Sequence, residues 1–139
     1  MSFVLDACAM IAFLRDEDGA EVVESLILDE YCMAHAVNLC EVYYDSLVRG
    51  ENEGVARALI ADVESLGVTP REDMDLQFWQ EVGSHKARTR RASLEVPLAD
   101  CFAMSLANRE GATLVTSDHG DFDPIIGRGL CPCPVKFIR

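Results

Sequence analysis

Three apolar residues stand in unbroken succession in FVLDACAM (Phe3 to Met10), and the run stops on a carboxylate, Asp6. Apolar residues without alternation suit a strand covered on both faces, the condition of a parallel sheet. ATLVTSD (Ala112 to Asp118) has the same character and also ends in turn formers. Between and around these runs the spacing changes. GAEVVESLILDE places Val22, Val23, Leu26 and Ile27 at helical intervals, and YCMAHAV reads as strand again. NLCEVYYDSLVRG predicts a helix from an Asn38 cap to Gly50, and GVARALIADVESLG one that stops at Gly67. Val68 to Pro70 is at most a short extended piece. DMDLQFWQEVGSHKARTRR opens on an acidic cap candidate, Asp73, and PLADCFAMSLANREG begins a helix at Pro97 that Gly111 closes. PVKFIR at the end suits an edge strand. Strands and helices that alternate in this way predict an α/β three-layer sandwich, a mostly parallel central sheet flanked by helices.

At 139 residues the chain is expected to form a single domain, residues 1–139. It can remove roughly two-thirds of its unfolded surface from water. Half its residues are hydrophobic and 26% are charged, a globular and not a disordered composition. No apolar stretch approaches the ~20 residues of a membrane span, and the first residues lack a basic leader, so a cytoplasmic address is expected. Six cysteines then read as reduced thiols, four of them as small hydrophobes within apolar segments. Cys131 and Cys133 are one residue apart and lack the second pair that a zinc site uses.

Asp6 and Asp118 both follow strands, and ligands in open α/β sheets bind at the carboxyl ends of strands. Glu41 and Asp100 lie near the starts of helices, where the helix dipole alone could account for an acid. Taken together, four carboxylates in one crevice would raise one another's pKa, and a hard divalent cation would relieve that. Mg²⁺ or Mn²⁺ prefers oxygen donors, keeps several waters and is suited to phosphodiester hydrolysis.

FVLDACAMIAFL, AHAVNLCEVYYDSLVRG and VPLADCFAMSLANREGATLVTSDHGDF, in this order and spacing, resemble the PIN-domain nucleases, most closely the VapC-type toxins of toxin–antitoxin pairs. The resemblance runs from Phe3 to about Phe122. It implies a PIN-like parallel sheet between helices and a Mg²⁺- or Mn²⁺-dependent endoribonuclease activity on an RNA substrate. It also implies an antitoxin partner and a homodimer. Asp6, Glu41, Asp100 and Asp118 fall on the family's four acidic positions. Asp6 and Asp100 are expected as direct ligands, while Glu41 and Asp118 position water or complete a second metal site.

The chain departs from the family at Cys8, where a Ser or Thr is common. A thiol is a poor substitute for a hydroxyl, so Cys8 either weakens or retunes metal binding or is a neutral filler. The first outcome motivates the alternative function, a catalytically weakened module that binds RNA or protein. His35, at a strand end, reads as structural more readily than as a phosphate contact. Asp121 and Asp123 either join the site or form a turn before Pro124, the turn being favoured for Asp123. His119 reads as an exposed loop residue.

The net charge of −12 argues against passive nucleic-acid binding. HKARTRR nevertheless holds Lys86, Arg88, Arg90 and Arg91. That patch is either a solvated helix face or a contact for the substrate backbone. A Cys–His or Ser–His enzyme is disfavoured, because none of the three histidines falls in a nucleophile motif and Cys8 sits among acids. No phosphate-cradling glycine loop occurs. An aspartyl-phosphate enzyme of the haloacid-dehalogenase kind would carry a second acid where Cys8 stands.

Overall fold

The computed structural model describes Met1–Arg139. Its elements run β1 (Ser2–Leu5), α1 (Ala7–Leu14), α2 (Ala20–Asp29), β2 (Tyr31–His35), α3 (Ala36–Val48) and α4 (Glu53–Leu66), then β3 (Val68–Arg71) and α5 (Leu76–Arg91). α6 (Leu98–Glu110), β4 (Thr113–Thr116), α7 (His119–Gly127) and β5 (Val135–Phe137) complete the chain. The five strands form one sheet in the order β3-β2-β1-β4-β5, and every pairing is parallel. The three-layer α/β expectation holds, with a sheet that is parallel throughout.

Alternation within the strands explains the layers. Phe3 and Leu5 of β1, with Cys32 and Ala34 of β2, pack with α1, α2, α3 and α4. Val4, Met33 and Leu114 point the other way and pack with α5, α6 and α7. Both faces are apolar, so the strands carry no polar alternation, as the unbroken FVL run suggested. The tail strand β5 docks beside β4, and Ile138 is 5% exposed. Gly19 makes this docking possible: it has φ +94°, and a Cβ there would lie 2.6 Å from the Ile138 carbonyl oxygen.

Helix starts differ from the sequence reading in two places, and in each a side chain finds a different amide. α3 begins after His35, whose Nδ1 accepts from the Val37 N–H at 3.1 Å; Asn38 lies inside the first turn and is fully buried. α5 is capped by Asp75, which accepts from the Phe78 N–H, while Asp73 turns to arginines. Pro97 is itself the cap residue of α6. α7 replaces the expected loop and turn. Asp118 caps it by accepting from the Asp121 N–H at 3.0 Å. An internal proline costs a helix about 3 kcal/mol, but Phe122 and Ile125 of α7 are fully buried, each stabilising by about 1.5–3 kcal/mol. Tertiary burial therefore outweighs Pro124.

Candidate metal centre

The first two crossovers carry the chain outward from β1 to β2 and then β3; the third returns it to the other side of β1, where β4 pairs. The chain thus reverses direction between β1 and β4, which is where ligands bind in open α/β sheets. The Asp6 N–H donates to the Val115 carbonyl at 3.2 Å, so the pairing of these strands runs to their carboxyl ends. Asp6 ends β1 and Asp118 follows β4, so both stand at this point.

A cavity of about 120 Å³ opens there, lined by Asp6, Cys8, Glu41, Asp100, Asp118 and Asp121, with Ala7 and Pro97 completing the wall. All four expected acids are therefore brought together. Asp121 joins them. Asp100, Asp118 and Asp121 form the tight part of the group, each offering an oxygen within 4.8 Å of the others. Glu41 stands apart from that trio and lines the same space. The signal for Asp121 was the D-x-x-D spacing from Asp118: a cap and an acid three residues on, the pattern of a helix start. Asp123 is exposed and its carboxylate faces His119 Nδ1 at 2.9 Å.

Each acid is held by local structure. Asp6 is the N-cap of α1, and its Oδ1 accepts from the Ala9 N–H at 2.8 Å. Its other oxygen, Oδ2, is buried and has no hydrogen-bond partner. Asp100 lies in the first turn of α6. The Asn38 amide donates to Glu41 Oε1 and to the Ala99 carbonyl, both at 3.2 Å. It thereby ties α3 to the first turn of α6 and fixes Glu41 over the cavity.

The electrostatics are those of acids without cations. Burial raises Asp6 from 3.8 to about 7, and the Glu41 and Asp118 charges add to that; Thr116 and the Ala9 amide pull the other way. Burial, then Asp6, Asp121 and Glu41, push Asp100 up to about 8. Glu41 is raised by burial. Burial and the four acids around it push the Cys8 thiol up to about 12, so Cys8 is a neutral thiol and not a nucleophile. The residues fit a hard divalent cation. The five acids offer oxygen donors, they repel one another when ionised, and no group meets hydrogen-bond geometry at a buried carboxylate oxygen, Asp6 Oδ2.

The other singled-out residues fall outside this centre. His35 is 1% exposed, stacks on Phe78 with ring centroids 5.4 Å apart, and sets Nε2 against the Asp73 carbonyl at 2.9 Å; it is structural. His119 is not in a loop but opens α7, stacked on Phe137. All six cysteines are free thiols; Cys40 is exposed instead of buried in an apolar segment, and Cys131 donates to the Cys133 carbonyl. In the basic patch, Lys86 donates to the Val96 carbonyl and Arg90 faces Glu95 at 3.8 Å. Arg88 bonds His85, and Arg91 is exposed.

The fold and site describe an all-parallel α/β protein with an acid-lined crevice at its topological switch point. The PIN domain family model matches residues 3–125, and the chain belongs to that family. One chain of the VapBC2 complex from Rickettsia felis, solved bound to a promoter DNA fragment, superposes with a TM-score of 0.74 at 16% identity, covering 99% of this chain and 98% of that one. A chain of DNA-bound VapBC from Salmonella typhimurium gives 0.73 at 17% identity over 100% and 99%. VapC20 of Mycobacterium tuberculosis, described as a sarcin-ricin loop cleaving toxin, gives 0.67 at 17% identity over 88% and 93%. No curated protein matches the sequence. No helix is long and apolar enough to cross a membrane.

Proposed function

We propose that this single-domain chain is a divalent-metal-dependent endoribonuclease and the toxin of a toxin–antitoxin pair. One observation carries the reading: a buried carboxylate oxygen without a partner, Asp6 Oδ2, in a cavity shared with four further acids at the switch point. Asp6, Asp100, Asp118 and Asp121 would hold the cation, Mg²⁺ or Mn²⁺. When bound, it supplies Lewis acidity at the phosphoryl group and lowers the pKa of a water. Glu41, steadied by Asn38, would accept a proton from the attacking water. Asp6 and Asp100 must be ionised to serve, so metal affinity rises with pH through 7 to 8.

RNA as the substrate is supported by the likeness to the sarcin-ricin loop cleaving toxin. The antitoxin partner is supported by likeness to chains of VapBC toxin-antitoxin complexes; the homodimeric state rests on the family resemblance of the sequence, and the cytoplasmic address on its composition. The binding-module alternative rested on Cys8. The complete set of carboxylates around one cavity supports catalysis over that alternative. The test is cleavage of structured RNA with Mn²⁺ or Mg²⁺. Equal cleavage in EDTA, or unchanged cleavage by Asp6→Asn, would refute the reading.

A further inference from the structure

This chain has twice as many acids as bases, 24 against 12, so a cation without a carboxylate partner is informative. Seven of the twelve Lys and Arg side chains pair with a carboxylate. Of the remaining five, four gather in one place. Lys86, Arg88 and Arg91 lie in the last turns of α5, and Arg128 donates to the Ala92 carbonyl at 3.2 Å, just beyond its end. On one side this group reaches the acid crevice. Lys86 donates to Val96, whose neighbour Pro97 lines that cavity. On the other side Arg88 lines a second cavity of about 340 Å³, with His85, Glu81, Asn108, Leu130 and Cys131.

His85 holds the Arg88 guanidinium at the second cavity. It is 6% exposed, and its Nδ1 lies 2.7 Å from Arg88 Nη2. A guanidinium only donates, so Nδ1 accepts and the ring proton sits on Nε2. Nε2 is buried and has no partner. Burial and the Arg88 charge hold the ring below its ordinary pKa, which keeps this neutral tautomer. The cavity therefore presents a guanidinium without a carboxylate and the Asn108 amide, with the His85 ring accepting from that guanidinium. Glu81 is the opposing charge, and the Cys131 thiol is turned to the Cys133 carbonyl.

We propose that this cavity seats a backbone phosphate of the RNA strand flanking the scissile bond, accepting from Arg88 and from the Asn108 amide. The strand would cross the Lys86 ridge between the two cavities. The identity of the strand rests on the nuclease reading above; the donor set does not. The sequence patch is thereby narrowed: Arg90 leaves it, and His85, Asn108 and Arg128 enter.

The test uses Asp6→Asn full-length protein without metal, a labelled single-stranded RNA, and anisotropy across a salt series. Arg88→Gln in that background should weaken RNA binding about tenfold and lower the salt slope by about 0.7. Arg57→Gln, at an exposed pair with Glu53, should change neither. The resonance of His85 Nδ1, which accepts from Arg88, should shift on RNA addition in the parent protein, a readout that needs no variant to fold. Unchanged affinity and slope in Arg88→Gln would overturn the proposal. A His85 shift with inorganic phosphate but not with RNA would also overturn it, in favour of a free-phosphate site. RNA binding that depends on Arg88 in a protein that shows no metal-dependent cleavage would uphold this inference while refuting the nuclease reading.

Discussion

Two clusters of acids sit at the rim of this sheet and behave in opposite ways. In the crevice, Asp6, Glu41, Asp100, Asp118 and Asp121 line one cavity. Around the start of α5, Asp73, Asp75 and Glu110 are bound by Arg71 and Arg109 at 2.6 to 2.9 Å. Asp6 and Asp75 even share a local task, since each caps a helix. Yet Asp6 is raised to about 7 by burial, whereas Asp75 is lowered to about 2 by its bond to Arg109. Burial pushes Asp73 upward, but Arg71 and Arg109 outweigh it and hold it below its ordinary value. Capping is the same physics in both; the presence of a guanidinium decides which acid is structural and which is left for chemistry. The arginine cluster is satisfied within the chain. No cation of the chain pairs with the crevice acids.

The sharpest way to break this contrast is Asp6→Asn. Asparagine retains the cap and removes a ligand charge. Cleavage with Mn²⁺ should fall by at least about 100-fold, measured as initial rate. The metal-free variant should melt higher than the parent at pH 8.5, because it has lost a destabilising charge. A lower melting temperature there would refute the assignment of strain to this site.

Next in size is the effect of metal. At about 100 times its Kd, Mn²⁺ should stabilise the folded chain by about 2.7 kcal/mol, roughly 8 °C in thermal melting. The shift should shrink below pH 7, where Asp6 and Asp100 hold protons. Mutating the arginine cluster should leave the shift intact.

A pH profile of metal-free stability separates the two clusters by sign. Between about 4 and 8 the folded chain holds more protons at Asp6 and Asp100 than the unfolded chain does. Stability therefore falls as pH rises through 7 to 8. Asp75 is depressed, so its contribution is present above its ordinary 3.8 and is lost as pH falls toward about 2. Arg109→Gln should flatten only the acid flank, lower the melting temperature by a few degrees and leave cleavage unchanged; thermal melts from pH 2.5 to 9 would show it.

The smallest effect is expected at Cys8. Cys8→Ser supplies a hydroxyl among the acids. A hydrogen bond worth about 1 kcal/mol would tighten Mn²⁺ roughly fivefold, read by calorimetry. No change would make Cys8 a filler.

Much of this was legible beforehand. The apolar pieces Phe3–Leu5 and Leu114–Val115 marked strands covered on both sides, and glycines at Gly50, Gly67 and Gly111, all at positive φ, marked helix ends. α7 was hidden because Gly120 and Pro124 are helix breakers, and only the burial of Phe122 and Ile125 overrides them. The caps of α3 and α5 were misplaced because Asn38 and Asp73 are good local cappers whose side chains are claimed by distant groups, Ala99 and Arg109.

The sequence by itself determined the alternation of strands and helices as far as β4 and delivered four acids to the carboxyl ends of the sheet, because periodicity and capping act within a few residues. Only the tertiary structure decided which acids go unpaired, that Asp121 completes the group and that Arg90 is paired while Arg88 is not. An acid's charge environment is set by groups far away in the chain, as Arg109 is from Asp75, and no local pattern records their arrival.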